Sequence, residues 1–75
     1  DISGIKASFV LTVYEGKIYL SARSIDEVNV QIIAEKLGGG GHINSAGAQF
    51  DHTNIDEAIK TLKQTIDQMI EEGDI

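Results

Sequence analysis

Between Ile5 and Ala22 the apolar side chains recur at every second position, and beyond Ser24 they recur every third or fourth. That change of period bounds the fold more tightly than any other feature, because a strand buries every second residue while a helix presents one stripe at a period of about 3.6. In "IKASFVLTVYEGKIYLSARS", Ile5, Ala7, Phe9, Leu11 and Val13 alternate with Lys6, Ser8, Thr12 and Tyr14. Glu15-Gly16-Lys17 supplies a turn, after which Ile18, Leu20 and Ala22 share one face and Tyr19, Ser21 and Arg23 the other. Val10 interrupts the first strand's polar face, so partial cover is expected on that side as well, and Tyr14 and Tyr19 are expected to pack at the sheet edges rather than to offer a surface for stacking a base.

"SIDEVNVQIIAEKLG" puts Val30, Ile33, Ala34 and Leu37 on one helical stripe. Ser24 or Asp26 is expected to cap its start, where the acids Asp26 and Glu27 suit the positive end of the dipole, and Gly38 stands where a C′ glycine would end it. A short third strand is expected in "AGAQF", with Ala46, Ala48 and Phe50 on one face. "TNIDEAIKTLKQTIDQMIEEG" then reads as a longer amphipathic helix burying Ile55, Ile59, Leu62, Ile66, Met69 and Ile70, capped by Asn54 with Glu57 or by Thr53 with Asp56 and stopped by Gly73. The order β-β-α-β-α specifies an α+β fold, a small two-layer domain with a mixed sheet covered by amphipathic helices.

Seventy-five residues make one domain, 1–75, with a thin core, and the absence of cysteine removes both disulfides and thiolate metal sites as reinforcement. Such a domain is expected to lean on a neighbour, and a start at Asp1 instead of methionine suggests a piece of a longer protein. No apolar run approaches the roughly 20 residues of a membrane span, and no signal-peptide pattern is present, so no membrane contact is expected of this stretch. Twelve Asp and Glu against six Lys and Arg, a net charge of −6, argue against a broad footprint on duplex nucleic acid. They leave room for a small anion held at a local cluster. Much of the acid falls on Asp56, Glu57, Asp67, Glu71, Glu72 and Asp74, the solvated face of the last helix.

The candidate for that cluster is "KLGGGGHINSAGAQF", Lys36 to Phe50. It is no nucleotide P-loop: no Gly-Lys-Ser/Thr follows, and the glycines trail a helix instead of opening one. Gly38 is accounted for as a cap; Gly39, Gly40 and Gly41 are not. Bare backbone lets amides approach an anion, and His42 adds ring donors, with Asn44 and Ser45 as short polar neighbours. Taken alone the four glycines would make an ordinary surface turn; the adjacent polar residues favour a loop kept clear for a ligand. Arg23, at the end of a strand with Ser21 and Ser24 beside it, offers a guanidinium fork suited to phosphate, or else a solvated arginine paired with Asp26 or Glu27. His52, in "DHTN", reads as an exposed loop residue, and Asp51-His52 makes no metal site without further ligands. No nucleophile, base and acid come together in the pattern.

Arg23-Ser24, Asn29-Val30 and "KLGGGGHINSAGAQF" together resemble the DHHA1 domain of the DHH phosphoesterase superfamily, whose pattern is an Arg-Ser strand end, a short helix, G-G-G-G-H-x-x-A-A-G and a strand of small residues. The resemblance covers nearly the whole chain, and Ser45 departs from the pattern where the family usually has the first alanine of A-A-G. Within the superfamily the chain looks most like the C-terminal domain of the membrane-anchored cyclic-di-AMP phosphodiesterases of Gram-positive bacteria, the GdpP type. That resemblance implies a preceding DHH domain in the same chain, holding two divalent ions, usually manganese, that activate water. It implies that this domain grips a cyclic or linear dinucleotide, with Gly39, Gly40, Gly41 and His42 on phosphate and Arg23 and Ser24 on phosphate or nucleotide. Asn44 and Ser45 are expected to add polar contacts. It further implies a place on the cytoplasmic face of a membrane-anchored parent, and leaves a homodimer open. No catalytic residue or metal ligand of the DHH type is expected in these residues, so the domain alone should be inactive. The alternatives are the DHHA1 half of a nanoRNase or pAp phosphatase or of a RecJ-like exonuclease, and a non-catalytic nucleic-acid contact module like that attached to alanyl-tRNA synthetase.

Overall fold

The computed structural model describes residues 6–75. Its elements are β1 (Ala7–Tyr14), β2 (Lys17–Ser24), α1 (Val30–Lys36), β3 (Gly40–Gly41), β4 (Ser45–Phe50) and α2 (Ile55–Glu71). The α+β class and the two layers are as expected; Ile5, placed at the head of the first strand by its spacing, lies outside the described residues. Two features differ. The glycine run contributes a strand of its own, and the sheet, in the order β1-β2-β4-β3, is antiparallel at every pairing instead of mixed. Both follow from one hairpin. After α1 the chain lays down β3 in the direction of β2, then turns back so that β4 fills the space between them.

The covered face gathers the expected alternating residues. Ala7, Leu20, Ala22 and Ala46 from the sheet pack with Val30, Ile33 and Ala34 of α1 and Leu62, Ile66 and Met69 of α2. Ala22 lies opposite Ala46 and Leu20 opposite Ala48, so small residues on β4 let α1 settle close to the sheet. Both helices end as their glycines foretell: Gly38 and Gly73 have φ of 85° and 79°, the left-handed conformation that closes a helix C-terminus. In α1 the Gly38 and Gly39 amides donate to Glu35 and Ala34, satisfying carbonyls that the last turn would otherwise strand. Asn54 caps α2 by accepting from the Glu57 amide at 2.9 Å. Among the described residues no helix is long and apolar enough to cross a membrane.

The start of α1 is a correction. Its cap is Asn29, whose Oδ1 accepts from the Gln31 and Ile32 amides at 3.0 and 3.4 Å; neither Ser24 nor Asp26 serves. Ser24 is still paired with Ala7 in the sheet, and the amides of Ile25 and Asp26 both donate to the Lys6 carbonyl. Glu27 then takes a φ of 56°, which no right-handed helix accommodates.

The second correction concerns the other face of the sheet. The sequence suggested that Val10 would be partly covered and that the tyrosines would pack. Instead both helices lie on one side, and Val10, Tyr14 and Tyr19 are 55%, 61% and 37% exposed. This bare face carries Ser8, Val10, Thr12 and Tyr14 of β1, Lys17, Tyr19, Ser21 and Arg23 of β2, and Ser45, Gly47 and Gln49 of β4, following the strand alternation.

Candidate ligand-binding face

The segment expected to be an open loop is a built hairpin. His42 and Ser45 exchange backbone hydrogen bonds of 2.8 and 3.3 Å, which leaves Ile43 and Asn44 as the turn. The turn is itself anchored. The Asn44 carbonyl accepts from the Ser24 amide at 2.9 Å, and the Ile43 carbonyl accepts from the Val30 amide at 3.0 Å. Val30 is the first residue of α1, so its amide is one of the donors a helix N-terminus leaves without an internal partner. Three segments are tied at one end of the sheet: the end of β2, the turn between β3 and β4, and the start of α1.

The glycines now separate by cause. Gly39 and Gly41 face the helix side of β3, against β4. A Cβ at Gly39 would meet the Gly47 carbonyl oxygen and lie 2.7 Å from the Ala48 Cα; at Gly41 it would lie 2.7 Å from the Ser45 oxygen, and Gly41 has a φ of 143°. These are demands of strand pairing, whether or not a ligand is held. Gly40 stands opposite Gly47 on the bare face; a Cβ there would meet nothing within 4 Å, and its backbone is not in the left-handed region. Nothing in the fold requires glycine at position 40.

The pairing register carries this bare face across all four strands. Arg23 lies between Ser8 of β1 and Ser45 of β4, and Ser45 pairs in turn with His42. One row therefore reads His42, Ser45, Arg23, Ser8, and the next reads Gly40, Gly47, Ser21, Val10. A cavity of about 170 Å³ opens here, lined by Ser8, Val10, Ser21, Ala22, Arg23, Ser45 and Ala46. Arg23 is exposed and, among the described residues, forms no ion pair with Asp26, Glu27 or any other acid. His42 is exposed as well. A cation, an imidazole and two hydroxyls on one row, beside a stretch of uncovered backbone, can hold an anion such as phosphate by directed hydrogen bonds.

Of the residues singled out from the sequence, the fold thus groups Arg23, His42 and Ser45 on one row, with Gly40 beside them. Asn44 sits at the exposed hairpin turn next to them. Ser24 does not join the row. Its register partner is Ala7 of the covered face, and its visible part is the amide that anchors Asn44. A side chain at Gly39 or Gly41 would point against β4, although the Gly41 backbone is exposed. Ser8, Ser21 and Gly47 belong to the face but stand out little in the sequence; alternation groups Ser21 with Arg23, whereas Ser8 and Gly47 are legible only once the strand register is known. His52 is an exposed loop residue with φ of 55°. Among the described residues no three His, Cys, Asp or Glu side chains converge where they could hold a metal ion.

Residues 1–68 match the family model of the DHHA1 domain. The chain is 48% identical over 68 residues to the cyclic-di-AMP phosphodiesterase PdeA of Listeria monocytogenes, covering 89% of this chain and 10% of that protein. It is 44% identical over 73 residues to the cyclic-di-AMP phosphodiesterase GdpP of Geobacillus thermodenitrificans, covering 96% of this chain and 11% of the relative. A bifunctional oligoribonuclease and PAP phosphatase, NrnA of Thermus thermophilus, is 35% identical over 65 residues, covering 87% of this chain and 20% of its own length. Among solved structures, an exopolyphosphatase-related protein from Bacteroides fragilis superposes with a TM-score of 0.78 at 28% identity, over 91% of this chain and 20% of that one. A two-layer α+β domain with both helices on one side of its sheet and the other side open is the class that the fold defines. The chain belongs to the DHHA1 domain family. It spans about a tenth of the length of the cyclic-di-AMP phosphodiesterases it resembles.

Proposed function

We propose that this domain is the substrate-gripping part of a phosphodiesterase that opens cyclic-di-AMP to a linear dinucleotide, the phosphate resting on the row of His42, Ser45 and Arg23. The observation that carries the reading is that row together with Gly40, a glycine the fold does not need, at its side. The identities of 44% and 48% to cyclic-di-AMP phosphodiesterases support the choice of substrate. On this reading the hydrolytic centre, with two divalent ions, manganese the expected metal, belongs to a DHH domain of the same parent protein. This domain closes over the substrate and supplies no catalytic residue. Work on the cytoplasmic face of a membrane-anchored parent suits that role.

A second reading, favoured by the similarity to NrnA, makes the substrate a short linear oligonucleotide. Turnover of cyclic-di-AMP against linear pApA by the complete protein with manganese separates the two, since a clear preference for pApA overturns the cyclic substrate. In the same protein, His42→Ala removes a charge-assisted hydrogen bond of about 1.5–3 kcal/mol, so activity should fall about tenfold or more. His42 is exposed, so thermal unfolding should barely change. Wild-type turnover by this variant would remove His42 from the site.

A further inference from the structure

We infer that Tyr19 is a stacking platform for a nucleobase, placing the ligand along β2 with its phosphate at Arg23 and its base over the tyrosine ring. The inference rests on the phosphate reading above and adds the other end of the ligand. Tyr19 and Arg23 lie on the same strand and the same bare face, four residues apart, which at about 3.3 Å per residue is roughly 13 Å. Between them lies only the row of Gly40, Gly47, Ser21 and Val10. That row has no side chain larger than a hydroxyl except Val10 on the outer strand. A sugar can cross it without obstruction, with Val10 as an apolar margin. One nucleoside with its phosphate covers that distance when the long Arg23 side chain reaches along the strand to meet it.

Tyr19 is 37% exposed on that face. Its neighbours across the strands are Thr12 and Gln49, and the Gln49 amide donates to Asp51 at 2.7 Å. No side-chain hydrogen bond or ring contact engages Tyr19 among the described residues. The covered face, by contrast, takes up every large aliphatic side chain of β2. Tyr14 is more exposed but pairs with Lys17, one row farther from Arg23, so a single nucleotide anchored at Arg23 reaches Tyr19 and not Tyr14. An aromatic ring on an open sheet, with a cation on the same strand, is the combination that holds single-stranded nucleotides through stacking plus phosphate contact. Stacking recognises a π-face and not a hydrogen-bond pattern, so the platform accepts any base and favours the larger purines.

The test is affinity, measured by calorimetry on the complete protein in EDTA so that no turnover occurs, for two probes: linear pApA and the same dinucleotide with both bases removed. Tyr19→Ala should weaken pApA about tenfold or more and leave the abasic probe unchanged, and Tyr19→Phe should bind both as the wild type does. His42→Ala should weaken both probes. Equal affinities of Tyr19→Ala and wild type for pApA, or equal losses for both probes, overturn the platform while leaving the phosphate row standing. If His42→Ala instead binds both probes normally, the phosphate end fails and the placement of the base falls with it.

Discussion

Gly40→Val, made in the complete protein, should lower kcat/KM for the dinucleotide by about a hundredfold, the scale of loss when a substrate is held out of line by an ångström or so. The folded state should hardly notice. A Cβ at this position meets nothing within 4 Å, and the backbone there is not left-handed. Gly40 is half-buried, but a β-branched residue suits an extended strand, and a substitution that meets no neighbour stays within about 0.5 kcal/mol. The melting temperature should therefore move by no more than about 4 °C. The pair of measurements is decisive: activity lost with the fold intact places the ligand against β3, whereas normal activity means that no ligand approaches the backbone at Gly40.

The neighbouring glycine should behave in the opposite way. Gly41→Ala introduces a Cβ 2.7 Å from the Ser45 carbonyl oxygen and close to the Ala46 Cα, and does so at a φ of 143°. The obstacles are backbone atoms of β4, held by its pairing with β2, so they cannot swing aside as a flexible side chain would. Overpacking and backbone strain each cost about 1–3 kcal/mol, giving a loss of about 2–6 kcal/mol in denaturant unfolding. For a domain of this size that is upwards of about 10 °C in melting temperature. An alanine variant as stable as the wild type would show that β4 yields, and would remove the structural reason for glycine at 41. Two adjacent glycines, alike in the sequence, are thus expected to fail in different assays.

That contrast also marks what could be read from the chain and what could not. The periods of two and of 3.6 were enough to place β1, β2 and α2, because Phe9, Leu11, Ile18, Leu20, Leu62 and Ile66 mark buried faces by spacing alone. Gly38 and Gly73 announced helix ends because a left-handed residue has few other uses at that position. What spacing does not carry is register. Strand β3, two glycines without side chains, has no hydrophobic period to reveal it, and so the antiparallel sheet went unseen. The cap of α1 was misplaced because Ser24 and Asp26 resemble caps locally, while long-range bonds to Lys6 hold that segment to the sheet. The candidate site was legible in part: His42 and Arg23 stood out by residue type, but their alignment through Ser45 depends on two pairings that join distant parts of the chain. Gly39, Gly40 and Gly41 looked equivalent until each had a facing neighbour.

The anchoring of the Ile43-Asn44 turn has a consequence for how this end of the molecule opens. Amides from Ser24 and Val30 hold its carbonyls, so the strand end, the hairpin and the first turn of α1 share hydrogen bonds and form one cooperative unit. Loosening the turn breaks the hydrogen bond that the Val30 amide makes at the helix start. A ligand seated on the outer row would stabilise the whole unit. The protection of the Val30 amide against solvent exchange would then rise, although that residue is fully buried in the core and faces away from anything the ligand touches. Occupancy of the surface would be recorded in the interior.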